Sequence, residues 1–292
     1  MTRGEEARLF GVLGDPVDHS LSPAMQNAAF AAAGLPHLYL RFRVPAVALP
    51  AAVRDARALR MGGLNLTVPL KEAILPLLDA VTPEAERMGA VNTVLFTPDG
   101  LVGDNTDGRG FLAALGGHVR VRGARVVLVG AGGSARAVGA ALAGAGAARI
   151  VIANRRVARG EALADRLARP GGPETAAVPL DALARGTILE DATLVVNATS
   201  LGLGAPRLGV RCGAAPDNCL FVDLVYGPRP TPFLAAAARA GRPTLDGGPM
   251  LLHQGALAFE SWTGCRAPRA AMARALRAAG LSLGPVGRRS AS

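Results

Sequence analysis

Lysine is almost absent from this chain. Of the 32 basic side chains among its 292 residues, 31 are arginine, and Lys71 is the exception. Aromatic side chains are few as well: Trp262, Tyr39, Tyr226 and eight phenylalanines. A formal net charge of +10 is thus spread over scattered arginines with little to stack on. That is unlike the basic stripe and aromatic platform of a nucleic-acid surface, so no specific nucleic-acid partner is expected. The positive field suits an anionic substrate or a phosphorylated cofactor instead. Cysteine is scarce and odd in number. Cys212, Cys219 and Cys265 lack metal-ligand spacing, which leaves reduced thiols, no metal centre and a cytoplasmic setting as the expectation. Long apolar runs are missing too. No window approaches the roughly 18 uninterrupted apolar residues of a membrane span. Gly144, Gly146 and Arg149 break "GAALAGAGAARIVIA". Arg8 breaks the N-terminal region before a leader-length apolar stretch, so neither a membrane nor a signal peptide is expected.

The single lysine admits two readings. A coding bias toward arginine could leave one lysine by chance. Alternatively, Lys71 does something a guanidinium cannot, because an ammonium is compact and can release its proton.

Half the residues are hydrophobic and 18% are charged, an ordinary globular profile. Strand and helix patterns alternate throughout, which points to an α/β fold with largely parallel sheets. "RLFGVLG", "HLYLRFRV" and "GGLNLTV" read as strands. "SPAMQNAAFAAAGL" and "LPAAVRDARAL" read as helices, the first with Ser22 as N-cap and Pro23 at the first helical position. "TPEAERMG" repeats that start signal with Thr82 and Pro83. "AVNTVLFTPDGLVGDNT" reads as a hairpin turning at "TPDG". Near residue 120 a second pattern begins: strands at "ARVVLV", "RIVIANRR", "TLVVNATS" and "CLFVDLVYG", and helices after the first glycine turn and at "GEALADRLA", "TPFLAAAARAG", "GPMLLHQGALAFESWTG" and "PRAAMARALRAAG". "GPVGRRSAS" reads as a frayed tail.

Two stretches carry chemistry. Gly130, Gly132 and Gly133 follow the apolar run "RVVLV" and open an apolar helix, the setting in which a glycine loop binds a dinucleotide pyrophosphate. Preference for NAD usually needs an acid at the end of the next strand. Here that place holds Asn154, Arg155 and Arg156, and two guanidiniums suit the 2′-phosphate of NADP. In "NLTVPLKEA", Asn65 and Thr67 are two apart on one strand and so face one side. Lys71 follows just beyond the strand's end, where open α/β sheets place ligands. Asp107 lies in "GDNTDG" at the entry to the second pattern. A lysine and an aspartate at a cleft between two domains could form a proton-transfer pair.

These residues resemble the shikimate dehydrogenase family over nearly the whole chain. The matching elements are "SLSP" at 20–23, "NLTVPLK" at 65–71, "GAVNT" at 89–93, "GDNTDG" at 103–108, "GAGGSARA" at 130–137, "NRR" at 154–156, "NATSLG" at 197–202, "VDLVYGP" at 222–228, "TPFL" at 231–234 and "GPMLLHQGALAFESWTG" at 248–264. They stand in family order with family-like spacing.

The resemblance implies a two-domain α/β fold. A Rossmann-type NADP-binding domain would take residues 108–246. A substrate-binding domain with a mainly parallel sheet would take 1–107, completed by helices from 247–292, with the active site in the cleft between them. It implies reversible, NADPH-dependent reduction of 3-dehydroshikimate to shikimate. Ser20 and Ser22 would hold the substrate carboxylate, and Thr67, Asn92 and Gln254 would bond ring hydroxyls. Asn65 would support the site, and Tyr226 would reach the substrate. Lys71 and Asp107 would flank the reacting oxygen. Gly130, Ala131, Gly132, Gly133 and Ser134 would form the cofactor loop, with Asn154, Arg155 and Arg156 beyond it. Thr199, Ser200, Leu224 and Gly247 would line the nicotinamide side. Pro249 departs from the glycine common in relatives, with little effect expected at a helix start. His253 is expected to pack or face solvent rather than react. A quinate/shikimate dehydrogenase with broader substrate or NAD use stays open, as does a nucleotide-sensing protein on the same scaffold. So does the choice between monomer and homodimer.

Overall fold

A computed structural model describes residues 6–201 and 208–284. The expected frayed tail lies, beyond Gly284, outside the described residues, as does the last glycine of "NATSLG". The chain divides into two compact units. Unit 1 comprises Met1–Gly110 and Leu251–Ala279, and unit 2 comprises Phe111–Met250 and Gly280–Ser292.

Unit 1 carries strands β1 (Leu9–Gly14), β2 (Leu38–Arg43), β3 (Gly63–Leu66), β4 (Ala80–Val81), β5 (Thr93–Thr97) and β6 (Gly100–Asp104). Between them run helices α1 (Ser22–Ala32), α2 (Leu49–Ala58), α3 (Leu70–Ala73) and α4 (Pro83–Met88). The sheet order is β2-β1-β3-β5-β6-β4. β1 pairs in parallel with β2 and β3, and β4 with β6, whereas β3–β5 and β5–β6 are antiparallel. The parallel majority is therefore narrow, because the hairpin reverses β5 in the middle of the sheet. Alternation along β1 serves both faces. Phe10 packs on Phe30 and Trp262, with ring centroids 4.9 and 5.3 Å apart, while Leu13 faces Val53, Leu64 and Ile74.

Unit 2 carries β7 (Arg125–Val129), β8 (Arg149–Asn154), β9 (Glu174–Pro179), β10 (Leu194–Asn197), β11 (Leu220–Asp223) and β12 (Thr244–Leu245). The chain enters it within α5 (Asp107–Leu115) and leaves it within α10 (Gly248–Thr263). Its own helices are α6 (Gly133–Gly144), α7 (Val157–Leu167), α8 (Ala182–Arg185) and α9 (Pro232–Arg239), and α11 (Arg269–Ala278) returns to unit 1. Every strand pair is parallel and the order is β12-β11-β10-β7-β8-β9. Counted from β7, this is the 3-2-1-4-5-6 order of a doubly wound dinucleotide fold. Its central strands β7, β10 and β11 are buried on both faces, which explains the unbroken apolar runs "VVLV" and "LVV". Val126 and Leu128 join one core, Val127 and Val129 the other.

Several local expectations shift. Ser22 is the first residue of α1 rather than its N-cap. Leu21 holds the cap position without a side-chain cap, and Ser20 Oγ accepts the Ser22 N–H at 3.3 Å. The reason is the turn closed by Ser20 N–H on Val17 C=O at 3.0 Å, which swings Ser20 back toward the helix start. β3 ends at Leu66, one residue before Thr67, although Thr67 N–H still reaches Leu13 C=O at 2.9 Å. Three strands gave no readable alternation: β4 and β12 have two residues each, and β9 is an alanine-rich edge. Among the described residues no helix is long and apolar enough to cross a membrane.

The start signal at Thr82 operates as read. Its Oγ1 accepts Ala85 N–H at 3.2 Å, and Pro83 opens α4. The same hydroxyl donates to Asp104 Oδ1 at 2.8 Å. Thr82→Ala is expected to cost about 1–2 kcal/mol through loss of both bonds. A urea melt should show a lower midpoint at unchanged slope, and an unmoved midpoint would contradict this assignment.

Candidate active site

Strand direction collects the polar residues of unit 1 at one sheet edge. β1 and β3 are parallel, β5 opposes them, and β6 opposes β5. The segments after β1, β3 and β6 and the residue before β5 therefore share an edge. These hold Ser20 and Ser22, Thr67 and Lys71, Asp107, and Asn92.

Lys71 Nζ donates to Asp107 Oδ2 at 2.5 Å. Their side chains are only 11% and 6% exposed. Lys71 sits in the single turn of α3, and its C=O accepts Val91 N–H at 2.8 Å, which ties that turn to the start of the hairpin. Asp107 opens α5, and its N–H is held by Asn105 Oδ1 at 3.0 Å. Its second carboxylate oxygen accepts Asn92 Nδ2 at 2.7 Å. Asn92 is 2% exposed and also reaches Thr106 Oγ1 at 3.0 Å and Gln254 Oε1 at 3.4 Å. Asn92 Oδ1 accepts Thr106 N–H at 2.9 Å and Thr93 Oγ1–H at 2.8 Å. The amide is thus fully engaged, as a buried one should be. Asn65 donates to Asn92 C=O at 3.0 Å and accepts the Tyr39 hydroxyl at 2.7 Å.

The structure thus joins Lys71, Asp107, Asn92, Asn65 and Gln254 in one hydrogen-bonded group. Thr67 stands beside it, its C=O accepting the N–H of Leu70, Lys71's neighbour, at 2.8 Å. Ser20 and Ser22 bond to each other, and Ser20 also to Val17 and to Arg41, whose Nε donates to Ser20 C=O at 2.9 Å. Tyr226 lies in unit 2, half-buried after β11. Tyr39, Thr93, Asn105 and Thr106 were not singled out from sequence. The last two stood inside "GDNTDG", but Tyr39 looked only like a strand aromatic. His253 is half-buried, and burial together with Arg269 lowers its pKa.

In unit 2 the parallel sheet brings the remaining residues to its carboxyl edge. Gly130 has φ +108°, closed to most side chains. A Cβ there would stand 2.8 Å from Thr199 Cγ2. Gly132 faces open space, and as the N-cap of α6 it makes no side-chain cap. Ala131 is buried, and Gly133 and Ser134 form the first turn. Open room before a helix start without a side-chain cap suits a pyrophosphate. Asn154 Nδ2 donates to Arg156 C=O at 2.8 Å and shapes the turn that presents Arg155 and Arg156. Both arginines are exposed, and among the described residues no carboxylate pairs with either. Ser200 is exposed beside Thr199. Gly247 N–H meets Val225 C=O at 3.2 Å, and a Cβ on Gly247 would stand 2.2 Å from Leu224 C=O. Among the described residues no group of His, Cys, Asp or Glu could hold a metal ion.

Three family descriptions match along the chain. "Shikimate dehydrogenase substrate binding domain" covers residues 12–94, "Shikimate / quinate 5-dehydrogenase" covers 114–207, and "Shikimate 5'-dehydrogenase C-terminal domain" covers 249–277. The shikimate dehydrogenase (NADP(+)) of Geobacter metallireducens is 46% identical over 279 residues, or 94% of this chain and 97% of that protein. The chain belongs to the shikimate dehydrogenase family. The shikimate 5-dehydrogenase of Thermus thermophilus, solved with NADP(H) and shikimate, is 42% identical with a TM-score of 0.81 over 93% of this chain and 99% of that one. The quinate dehydrogenase of Corynebacterium glutamicum, solved with NAD, is 33% identical with a TM-score of 0.83 over 94% and 100%. The fold alone therefore does not separate shikimate from quinate or NADP from NAD, and the site residues must.

The contact at Gly247 leaves no room for a methyl group. Gly247→Ala is expected to lower stability by about 1–3 kcal/mol through overpacking against backbone. Thermal melting without cofactor checks this, and an unaltered melt would mean that the loop has slack.

Proposed function

We infer that the chain catalyses reversible, NADP-dependent reduction of 3-dehydroshikimate to shikimate, a step toward chorismate and the aromatic amino acids, as a cytoplasmic monomer or homodimer. The observation that carries the reading is the buried contact of Lys71 Nζ with Asp107 Oδ2 at 2.5 Å, braced by Asn92. The curated relatives are named shikimate dehydrogenases (NADP(+)), which suggests the substrate. The pair itself is what the chemistry needs.

NADPH, when bound, supplies the hydride that the carbonyl carbon takes up. Lys71 serves the oxygen on that carbon. It donates a hydrogen bond to the oxygen as negative charge develops and then passes it a proton, help typically worth about 10²–10⁴-fold in rate. Asp107 orients Lys71 and accepts a hydrogen bond from a neighbouring substrate hydroxyl. Asn92, Thr67 and Gln254 bond the remaining hydroxyls, with Asn65 and Tyr39 holding Asn92 in place. Ser20 and Ser22 hold the carboxylate at the start of α1, a helix terminus that favours an anion. Tyr226 reaches the same substrate.

On the cofactor side, Gly130, Ala131, Gly132, Gly133 and Ser134 take the pyrophosphate. Asn154, Arg155 and Arg156 take the adenosine 2′-phosphate, for which the two exposed guanidiniums at this strand end are fitted. Thr199, Ser200, Leu224 and Gly247 line the nicotinamide. Quinate carries an additional hydroxyl beside its carboxylate, and Ser22, 7% exposed at the helix start, leaves the shikimate pattern intact.

Absorbance at the NADPH band, with shikimate or quinate and NADP or NAD, tests the function. Rapid NADP reduction with shikimate and little with quinate is expected. Comparable turnover of quinate or NAD would favour the broader dehydrogenase. No turnover with NADP still bound would favour the sensing protein. The double change Arg155→Ala, Arg156→Ala is expected to raise the KM for NADP about 10–100-fold, each lost phosphate contact being a charge-assisted bond. The KM for NAD should stay within about twofold, the 2′-phosphate being the group those bonds recognise. Equal changes for both cofactors would contradict the assignment.

A further inference from the structure

The cofactor edge of unit 2 is organised by a carboxylate that no step above uses. Asp223 is the last residue of β11 and is fully buried. Its carboxylate acts as acceptor in three hydrogen bonds. Oδ1 accepts Asn197 Nδ2 at 3.0 Å and Val225 N–H at 3.1 Å, and Oδ2 accepts Thr231 Oγ1–H at 2.6 Å. Those donors lead outward to the cofactor residues. Asn197 Oδ1 accepts both the N–H and the hydroxyl of Thr199, at 3.1 and 2.6 Å. Thr199 packs on Gly130 of the glycine loop and accepts Leu201 N–H at 3.2 Å. Val225 C=O accepts Gly247 N–H, and Gly247 presses on Leu224. Thr231 also caps α9 through Leu234 N–H at 3.3 Å, so its one proton is directed at Asp223.

We propose that Asp223, as a carboxylate, is a positioning residue for the cofactor, clamping the loops after β10 and β11 in the arrangement that receives the nicotinamide end of NADP. The proposal rests on the cofactor reading above. It differs from a plain packing role because all three donors need an acceptor. A neutral acid or an amide would turn one N–H or O–H toward one of them. Burial raises Asp223 from 3.8 to about 6, against the pull of its three hydrogen bonds. The charged group that faces it is Asp246, just past β12, which adds to the rise.

The sign of the pH dependence separates clamp from scaffold. A carboxyl raised on folding costs stability as pH climbs from about 4 to about 6. A clamp that works only when ionised instead gains affinity for the cofactor over the same range.

The test is titration calorimetry of NADP+ binding to wild-type chain and to Asp223→Asn, from pH 5 to pH 8. The 2′-phosphate titrates in this range for both proteins, so the readout is the ratio of their affinities. We expect Asp223→Asn to bind NADP+ about tenfold more weakly at pH 8, the scale of one lost charge-assisted bond. The ratio should fall toward unity near pH 5, and shikimate binding should stay within about twofold. A ratio near one at pH 8 would overturn the clamp while leaving the cofactor reading intact. A wild-type chain that does not bind NADP+ would overturn both. Should Asp223→Asn not fold, Thr231→Val and Thr231→Ser give the same answer. Valine is expected to weaken NADP+ binding and serine, which keeps both of the hydroxyl's bonds, to restore it. Equal binding by the two would overturn the clamp.

Discussion

The contact between Lys71 and Asp107 is the constraint around which unit 1 is arranged. Two opposite charges, each nearly shut off from water, are costly unless their remaining valences are met. Here an amide meets the carboxylate's second oxygen, and two backbone bonds hold the pair in place. Asn92 fills the second carboxylate oxygen, Asn105 holds the Asp107 backbone, and the Lys71 backbone is tied to Val91. Those neighbours can do this only because β5 reverses between β3 and β6. Asn92 then enters the same edge that Lys71 and Asp107 leave. The reversal that makes this sheet mixed is therefore what assembles the site.

Unit 2 solves a similar problem with the same residue types. There Asn197, at the end of β10, reaches Asp223 at the end of β11, as Asn92 before β5 reaches Asp107 after β6. In both, a buried amide bridges neighbouring strands and fixes a loop that follows. The difference is chemical. Asp107 has a lysine on its free oxygen and can serve proton transfer. Asp223 has neutral donors and a like charge, Asp246, that acts on it, so it can organise but has no proton partner of that kind.

Much of this was legible in the primary structure, for physical reasons. Strands buried on both faces leave continuous apolar runs, so β7, β8, β10 and β11 could be read directly. A threonine followed by proline marked the start of α4. The lone lysine drew notice because all 31 other Lys and Arg side chains are arginine, but composition left chance open, and its place in "NLTVPLK" was what gave it meaning. What escaped reading lacked such a signal. β4 and β12 are too short to show a period, and β9 is an edge whose alanines and proline carry little strand preference. Ser22 looked like a cap because the turn that lets Ser20 accept its N–H is not encoded in local spacing. Tyr39 gave no hint of its bond to Asn65, since a tyrosine on a strand is most often packing and only pairing with β1, beside β3, brings it there. Asp223 lay inside a recognised motif, but its part depends on three donors from three segments.

The central claim is that Lys71 serves proton transfer and not merely charge balance against Asp107. The most direct measurement is kcat for shikimate oxidation by Lys71→Arg at saturating NADP and shikimate. Arginine keeps the positive charge opposite Asp107 but holds its proton and is bulkier. Lys71→Arg is expected to fold and to show a kcat lower by about 10²–10⁴-fold. A kcat near that of the wild type would show that any cation at position 71 suffices, and would contradict proton transfer by Lys71.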